Sequence, residues 1–107
     1  MVRVDENLLQ RVVDSILKVS QPERIIMFGS AATGNMGPDS DLDLLVIEPE
    51  FSDARQESIR LRAALRSFEI PIDIFPMKPE RFEETKNVIG GLAFPANKYG
   101  VVIYEAP

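Results

Sequence analysis

The segment Asp41-Leu-Asp-Leu-Leu-Val-Ile47 changes character half-way along, and that change restricts the fold more than any other feature of the chain. Its first half alternates acid and apolar residues, the period-two signature of a strand with one polar and one apolar face. Its second half is continuously apolar, as in a central strand buried inside a domain. Such a strand needs partners on each side and helices to cover it. The rest of the chain supplies them.

Leu8, Leu9, Val12, Val13, Ile16 and Leu17 recur at helical spacing over residues 5–19, and Ser20-Gln21-Pro22 ends that helix. Arg24-Ile-Ile-Met-Phe28 is a short apolar run closed by Gly29, which predicts a buried strand. Residues 29–40 are rich in small and turn-forming types, so a short helix from Ser30, stopped by Gly34, should lead into an exposed loop. Ser52 is a candidate cap for a third helix, with Ala54, Ile59, Leu61, Leu65 and Phe68 inward and Arg55, Arg60, Arg62 and Arg66 outward, commonly a solvated face and less often a partner surface. Pro71-Ile-Asp-Ile-Phe-Pro76 reads as a third strand bounded by prolines, 79–86 as a short helix, 87–100 as loop, and 99–104 as a terminal strand. Tyr99 and Tyr104 are expected to pack at the sheet edge. Alternating helices and strands give an α/β arrangement.

Composition narrows the chemistry. The 107 residues suit one small domain, and no apolar run reaches the roughly 20 residues of a membrane-spanning helix. The charged start carries no secretory signal, and with no cysteine the expected setting is cytoplasmic. There is no histidine. Thiolate zinc sites, disulfides and Ser-His-Asp catalysis are excluded together. A net charge of −5 argues against direct, sequence-independent nucleic-acid binding. Catalysis would have to use carboxylates, backbone amides, lysine or a metal held by oxygen.

The chemistry-bearing constellation is Phe28-Gly29-Ser30, a ten-residue interval, and then Asp41-Leu42-Asp43-Leu44. Residues i and i+2 of a strand project from one face about 7 Å apart, so Asp41 and Asp43 can converge on cations such as Mg²⁺. Leu42, Leu44 and Val46 then point into the core. Gly29 allows close backbone approach to a phosphate, and Ser30 offers a hydroxyl beside free helix N-terminal amides. Alone, the first element is commonly just a tight connection and the second a solvated strand face or turn. Their combination, each piece beside an apolar strand, is much more specific. Asp73, flanked by Ile72, Ile74 and Phe75, is either an acid on the exposed face of an edge strand or a third member of the site.

Residues 27–46, Met-Phe-Gly-Ser-Ala-Ala-Thr-Gly-Asn-Met-Gly-Pro-Asp-Ser-Asp-Leu-Asp-Leu-Leu-Val, resemble the hallmark of the DNA polymerase β-like nucleotidyltransferase superfamily. More narrowly they resemble the minimal nucleotidyltransferases that pair with small helical HEPN-domain proteins, and Tyr99-Gly-Val-Val-Ile-Tyr-Glu105 resembles the closing strand of those proteins. The resemblance implies an α/β fold with a mixed β-sheet and flanking helices, forming a single domain over 1–107. It implies that Gly29 and Ser30 bind a nucleoside triphosphate, ATP being the expected one. It implies that Asp41 and Asp43 ligate Mg²⁺ and that Asp73 completes the catalytic set. The expected reaction is transfer of a nucleoside monophosphate to a hydroxyl, on a partner protein's side chain in a toxin–antitoxin system. The alternative is a non-catalytic, antitoxin-like subunit that restrains a HEPN-type partner by contact. One departure stands out: Ala31-Ala32-Thr33 occupy the place where minimal members commonly carry an arginine.

Overall fold

The computed structural model describes residues 5–33 and 41–107. The element order is α1 (Glu6–Leu17), β1 (Arg24–Phe28), α2 (Ser30–Thr33), β2 (Leu42–Ile47), α3 (Ala54–Ala64), β3 (Ile72–Met77), α4 (Pro79–Thr85), α5 (Ala93–Tyr99) and β4 (Val101–Glu105). The loop expected up to Ser40, and the Gly34 stop, lie outside the described residues.

The four strands form one sheet in the order β3-β2-β1-β4. β1 is antiparallel to both β2 and β4, whereas β2 and β3 run parallel. The parallel pair requires a crossover long enough to return the chain to the starting end, and α3 is that crossover. The sheet is therefore mixed and has helices on it, as expected.

Period-two alternation in β2 divides its side chains between two apolar layers. Leu42, Leu44 and Val46 pack with Val12, Val13 and Ile16 of α1 and with Leu61 of α3. Leu45 and Ile47 turn the other way, onto Phe82 of α4 and Ala93 and Ala96 of α5. The continuous apolar half of the strand reflects this burial on both faces. Burying side chains of this size contributes about 1.5–3 kcal/mol each, which makes β2 the main anchor of the fold.

Several local details differ from expectation. Asp53, not Ser52, caps α3, its carboxylate accepting from the Arg55 and Gln56 amides at 2.8 and 3.3 Å. A carboxylate is also the better partner for the positive end of the helix dipole. Residues 93–99 form α5, not loop, because Ala93 and Ala96, one turn apart, are small enough to lie flat on the sheet. Tyr99 consequently ends a helix and is 54% exposed, while Tyr104 packs in β4 against the α1 layer as expected. Pro76 sits inside β3, which an edge strand tolerates because its outer side has no ladder to complete. Ile59 points away from the core and is 61% exposed.

A polar cluster lies beyond the C-terminal end of β2. Glu48 is 2% exposed, and Glu57 of α3 is buried beside it. The Ser20 hydroxyl donates to Glu48 Oε1, and Arg60 clamps Glu57 with Nε–Oε1 at 2.9 Å and Nη2–Oε2 at 2.6 Å while also donating to the Val19 carbonyl. Arg60 is thus tied down and not simply solvated. Glu48 Oε2 is buried without a conventional donor, and it faces the Glu57 carboxylate. A proton held between the two acids satisfies it. Burial, followed by that contact, pushes the Glu48 carboxyl up to about 7, whereas the Arg60 fork holds Glu57 below its ordinary range.

Candidate active site

The opposite end of β2 carries the acids singled out in the sequence. Asp41 is exposed and immediately precedes the strand, whose first amide, that of Leu42, is bonded to the Pro71 carbonyl at 2.9 Å. Asp43 lies within the strand and is partly buried. The parallel register sets Asp43 directly beside Asp73 of β3, and the antiparallel register sets it beside Phe28 of β1. Adjacent strands lie about 4.8 Å apart, so the three acids crowd one end of the sheet.

Their electrostatics record this crowding. Burial raises the Asp43 carboxyl above its usual value, and the neighbouring Asp73 and Asp41 push it in the same direction. Asp73 is raised first by hydrogen bonding with Asp41, then by burial and by the Asp41 charge. Arg62 of α3 acts oppositely, favouring the ionised Asp73. Sequence spacing did not indicate this neighbour, since Arg62 comes near Asp73 only through the crossover.

Gly29 follows β1 and has φ +72°, in the left-handed region that glycine enters without penalty. A Cβ at this position would lie 2.5 Å from Asp43 Oδ2. The backbone sign therefore favours glycine, and a side chain here would in addition push the Asp43 carboxylate aside. The turn opens α2, where the Ala32 and Thr33 amides bond back to the Gly29 carbonyl at 3.1 and 3.3 Å. Ser30 is the first residue of that helix, where amides lack intrahelical acceptors. All five residues picked out in the sequence, Gly29, Ser30, Asp41, Asp43 and Asp73, thus come to one end of the sheet.

Among the described residues no group of three carboxylates forms a finished metal cage. Asp41, Asp43 and Asp73 nevertheless offer carboxylate oxygens, the donor type that hard cations take, and their charges oppose one another.

A family model described as a nucleotidyltransferase domain matches residues 8–92. The chain belongs to the nucleotidyltransferase domain family. The match spans β1, the Gly29 turn, all three acids and the α3 crossover. Two solved structures share the fold of this nucleotidyltransferase domain. One is a toxin–antitoxin structure with AMP-PNP: 19% identity, TM-score 0.57, covering 96% of this chain and 75% of the other. The second is a candidate nucleotidyltransferase from Sulfolobus solfataricus, with 16% identity and TM-score 0.62, covering 94% and 79% respectively. No curated protein matches the chain in sequence. The chain is thus a nucleotidyltransferase domain with a four-stranded mixed sheet.

Proposed function

We propose that this chain transfers a nucleoside monophosphate, AMP from ATP, to a hydroxyl group on a partner protein, its residues 1–107 acting as a single domain. The observation that carries the proposal is the gathering of Asp41, Asp43 and Asp73 beside the Gly29-Ser30 turn. Ser30 and the amides just after Gly29 orient the triphosphate. Asp41, Asp43 and Asp73 would hold Mg²⁺, which when bound neutralises phosphate charge. Asp73 accepts the proton of the attacking hydroxyl on its carboxylate. The hydroxyl oxygen forms a bond to the α-phosphorus, the bond from that phosphorus to the α,β-bridging oxygen breaks, and pyrophosphate leaves.

A toxin–antitoxin structure with AMP-PNP among the fold neighbours supports both a nucleotide and a protein partner. By family resemblance that partner is a small helical HEPN-domain protein in the same cytoplasm, and the modified side chain a tyrosine. The contact-only alternative draws support from Ala31-Ala32-Thr33 standing where an arginine is common.

Incubation with the partner, Mg²⁺ and α-labelled ATP separates the two. Transfer predicts labelled partner and stoichiometric pyrophosphate, both lost in Asp43→Asn. A tight complex that forms without label or pyrophosphate establishes the contact-only role.

A further inference from the structure

Charge around the Gly29 turn is one-sided. Three carboxylates crowd that end of the sheet, and the terminal phosphate of a nucleoside triphosphate adds roughly two negative charges at neutral pH. Yet from Ile25 to Ala54 the chain contains no lysine or arginine, so the turn, α2 and β2 offer no cation to meet it. Neither β3 nor β4 carries one. Arg24 lies at the far end of β1, 3.5 Å from Glu105, and Arg62 acts on Asp73 at the other flank. We propose that Lys98, in the last turn of α5, binds the terminal phosphate of the nucleotide. The inference rests on the nucleotide reading above and adds a binding residue to it.

Position comes from the face and the end of the sheet that α5 occupies. Side chains alternate along β2, so Asp43 turns to the same face as Leu45 and Ile47, the face that α5 covers. Ala93 and Ala96 of α5 lie there in one cluster with Phe28, whose strand partner is Asp43 and whose next residue is Gly29. Through Gly100, α5 leads straight into β4, and Val101 at the start of β4 pairs with Met27. The last turn of α5 therefore stands where β1 gives way to Gly29 and Ser30, on the side of β1 away from the acids. A triphosphate with its α-phosphate at the acids and its chain along the Gly29-Ser30 turn extends its terminal phosphate toward α5.

The state of Lys98 suits that role. It is exposed, and among the described residues it forms no ion pair. Its ammonium lies over two rings, 5.6 Å from the Phe94 centroid and 5.4 Å from the Tyr99 centroid. Such contacts hold the charge near the helix end while leaving its N–H donors for phosphate oxygens. A cation in the last turn also complements the helix dipole. That second role affects melting temperature and is blind to which ligand is bound.

The test is calorimetry on the full chain with Mg²⁺-ATP, Mg²⁺-ADP and Mg²⁺-tripolyphosphate, the last having no nucleoside. Lys98→Met should weaken Mg²⁺-ATP and Mg²⁺-tripolyphosphate about tenfold and Mg²⁺-ADP less than threefold, with the circular dichroism spectrum unchanged. Lys98→Gln should repeat that pattern, and Lys98→Arg should keep all three ligands within threefold of the parent. Equal Mg²⁺-ATP affinity in the parent and Lys98→Met overturns the proposal and leaves the nucleotide reading in place; a lower melting temperature in that case gives Lys98 to the helix end alone. An equal loss for Mg²⁺-ADP also overturns it, since the contact would then not be with the terminal phosphate. A parent chain that binds none of the three ligands overturns the proposal and the nucleotide reading together. The expected tenfold loss in a chain that transfers no AMP refutes the transfer reaction and leaves Lys98 as a phosphate contact.

Discussion

Replacing Glu48 by Gln should make this protein more stable at pH 8, although it deletes a charged group from an acidic cluster. The Glu48 carboxyl is 2% exposed and is raised from an ordinary 4.5 to about 7. Between those two values the folded chain keeps a proton that the unfolded chain has already released. Stability contributed by this group is therefore full below about pH 4.5 and falls as pH rises to about 7. The displacement corresponds to about 3 kcal/mol lost by pH 8, at 1.36 kcal/mol for each tenfold change in proton affinity. Glutamine reproduces the protonated state: its carbonyl can accept from Ser20, and its amide can donate to Glu57. In a domain of this size, about 3 kcal/mol corresponds to roughly 10 °C in Tm. Thermal melts in metal-free buffer should show the variant and the parent within a few degrees at pH 5 and separated by about 10 °C at pH 8. A variant that melts lower at pH 8, or a gap that does not grow with pH, refutes the shared-proton account of the cluster.

Three further predictions concern other parts of the fold. Asp43→Asn relieves an acid raised by burial and by two like charges, so the metal-free variant should melt a few degrees higher at neutral pH, and the Tm gain from Mg²⁺-ATP should vanish. Retention of that gain by differential scanning fluorimetry would remove Asp43 from the site. Gly29→Ala should cost about 1–3 kcal/mol through its positive φ and should also abolish Mg²⁺-ATP binding by displacing the Asp43 carboxylate, as calorimetry would register. Asp53→Ala should cost about 1 kcal/mol in urea melts, while Ser52→Ala should leave the midpoint unchanged.

The central strands were legible because their signal is local. Leu42, Leu44 and Val46 had to face one way and Asp43 the other, whatever surrounded them, and the structure buries them accordingly. Gly29, Ser30 and Asp43 were legible for a similar reason, since a tight turn and an acid on an apolar strand both contradict their immediate context. Asp73 could be read only as one of two alternatives, because its neighbour Asp43 is thirty residues away and parallel pairing leaves no turn signature between them. The same long crossover hid Arg62, which looked like one more solvated arginine. Glu48 and Glu57 gave no warning, being ordinary glutamates until Ser20 and Arg60 close around them. The helix at 93–99 was missed because Pro95 and the glycines at 90, 91 and 100 outweighed two small alanines in the pattern.

The parallel register between β2 and β3 has a consequence for how such a chain can vary. Side chains along a strand are sorted by parity, so the encounter of Asp43 with Asp73 depends on a count of residues within the strands alone. One residue inserted between Ile72 and Asp73 would turn the acid onto the α1 and α3 layer and bring an apolar residue to the site. Residues added among 49–53, ahead of the α3 cap, would leave that parity untouched. Arg62, Arg66 and Ile59 can thus be exchanged on the crossover while the acids keep their places. In this architecture the helix face beside the acids can vary without disturbing the encounter of the acids themselves.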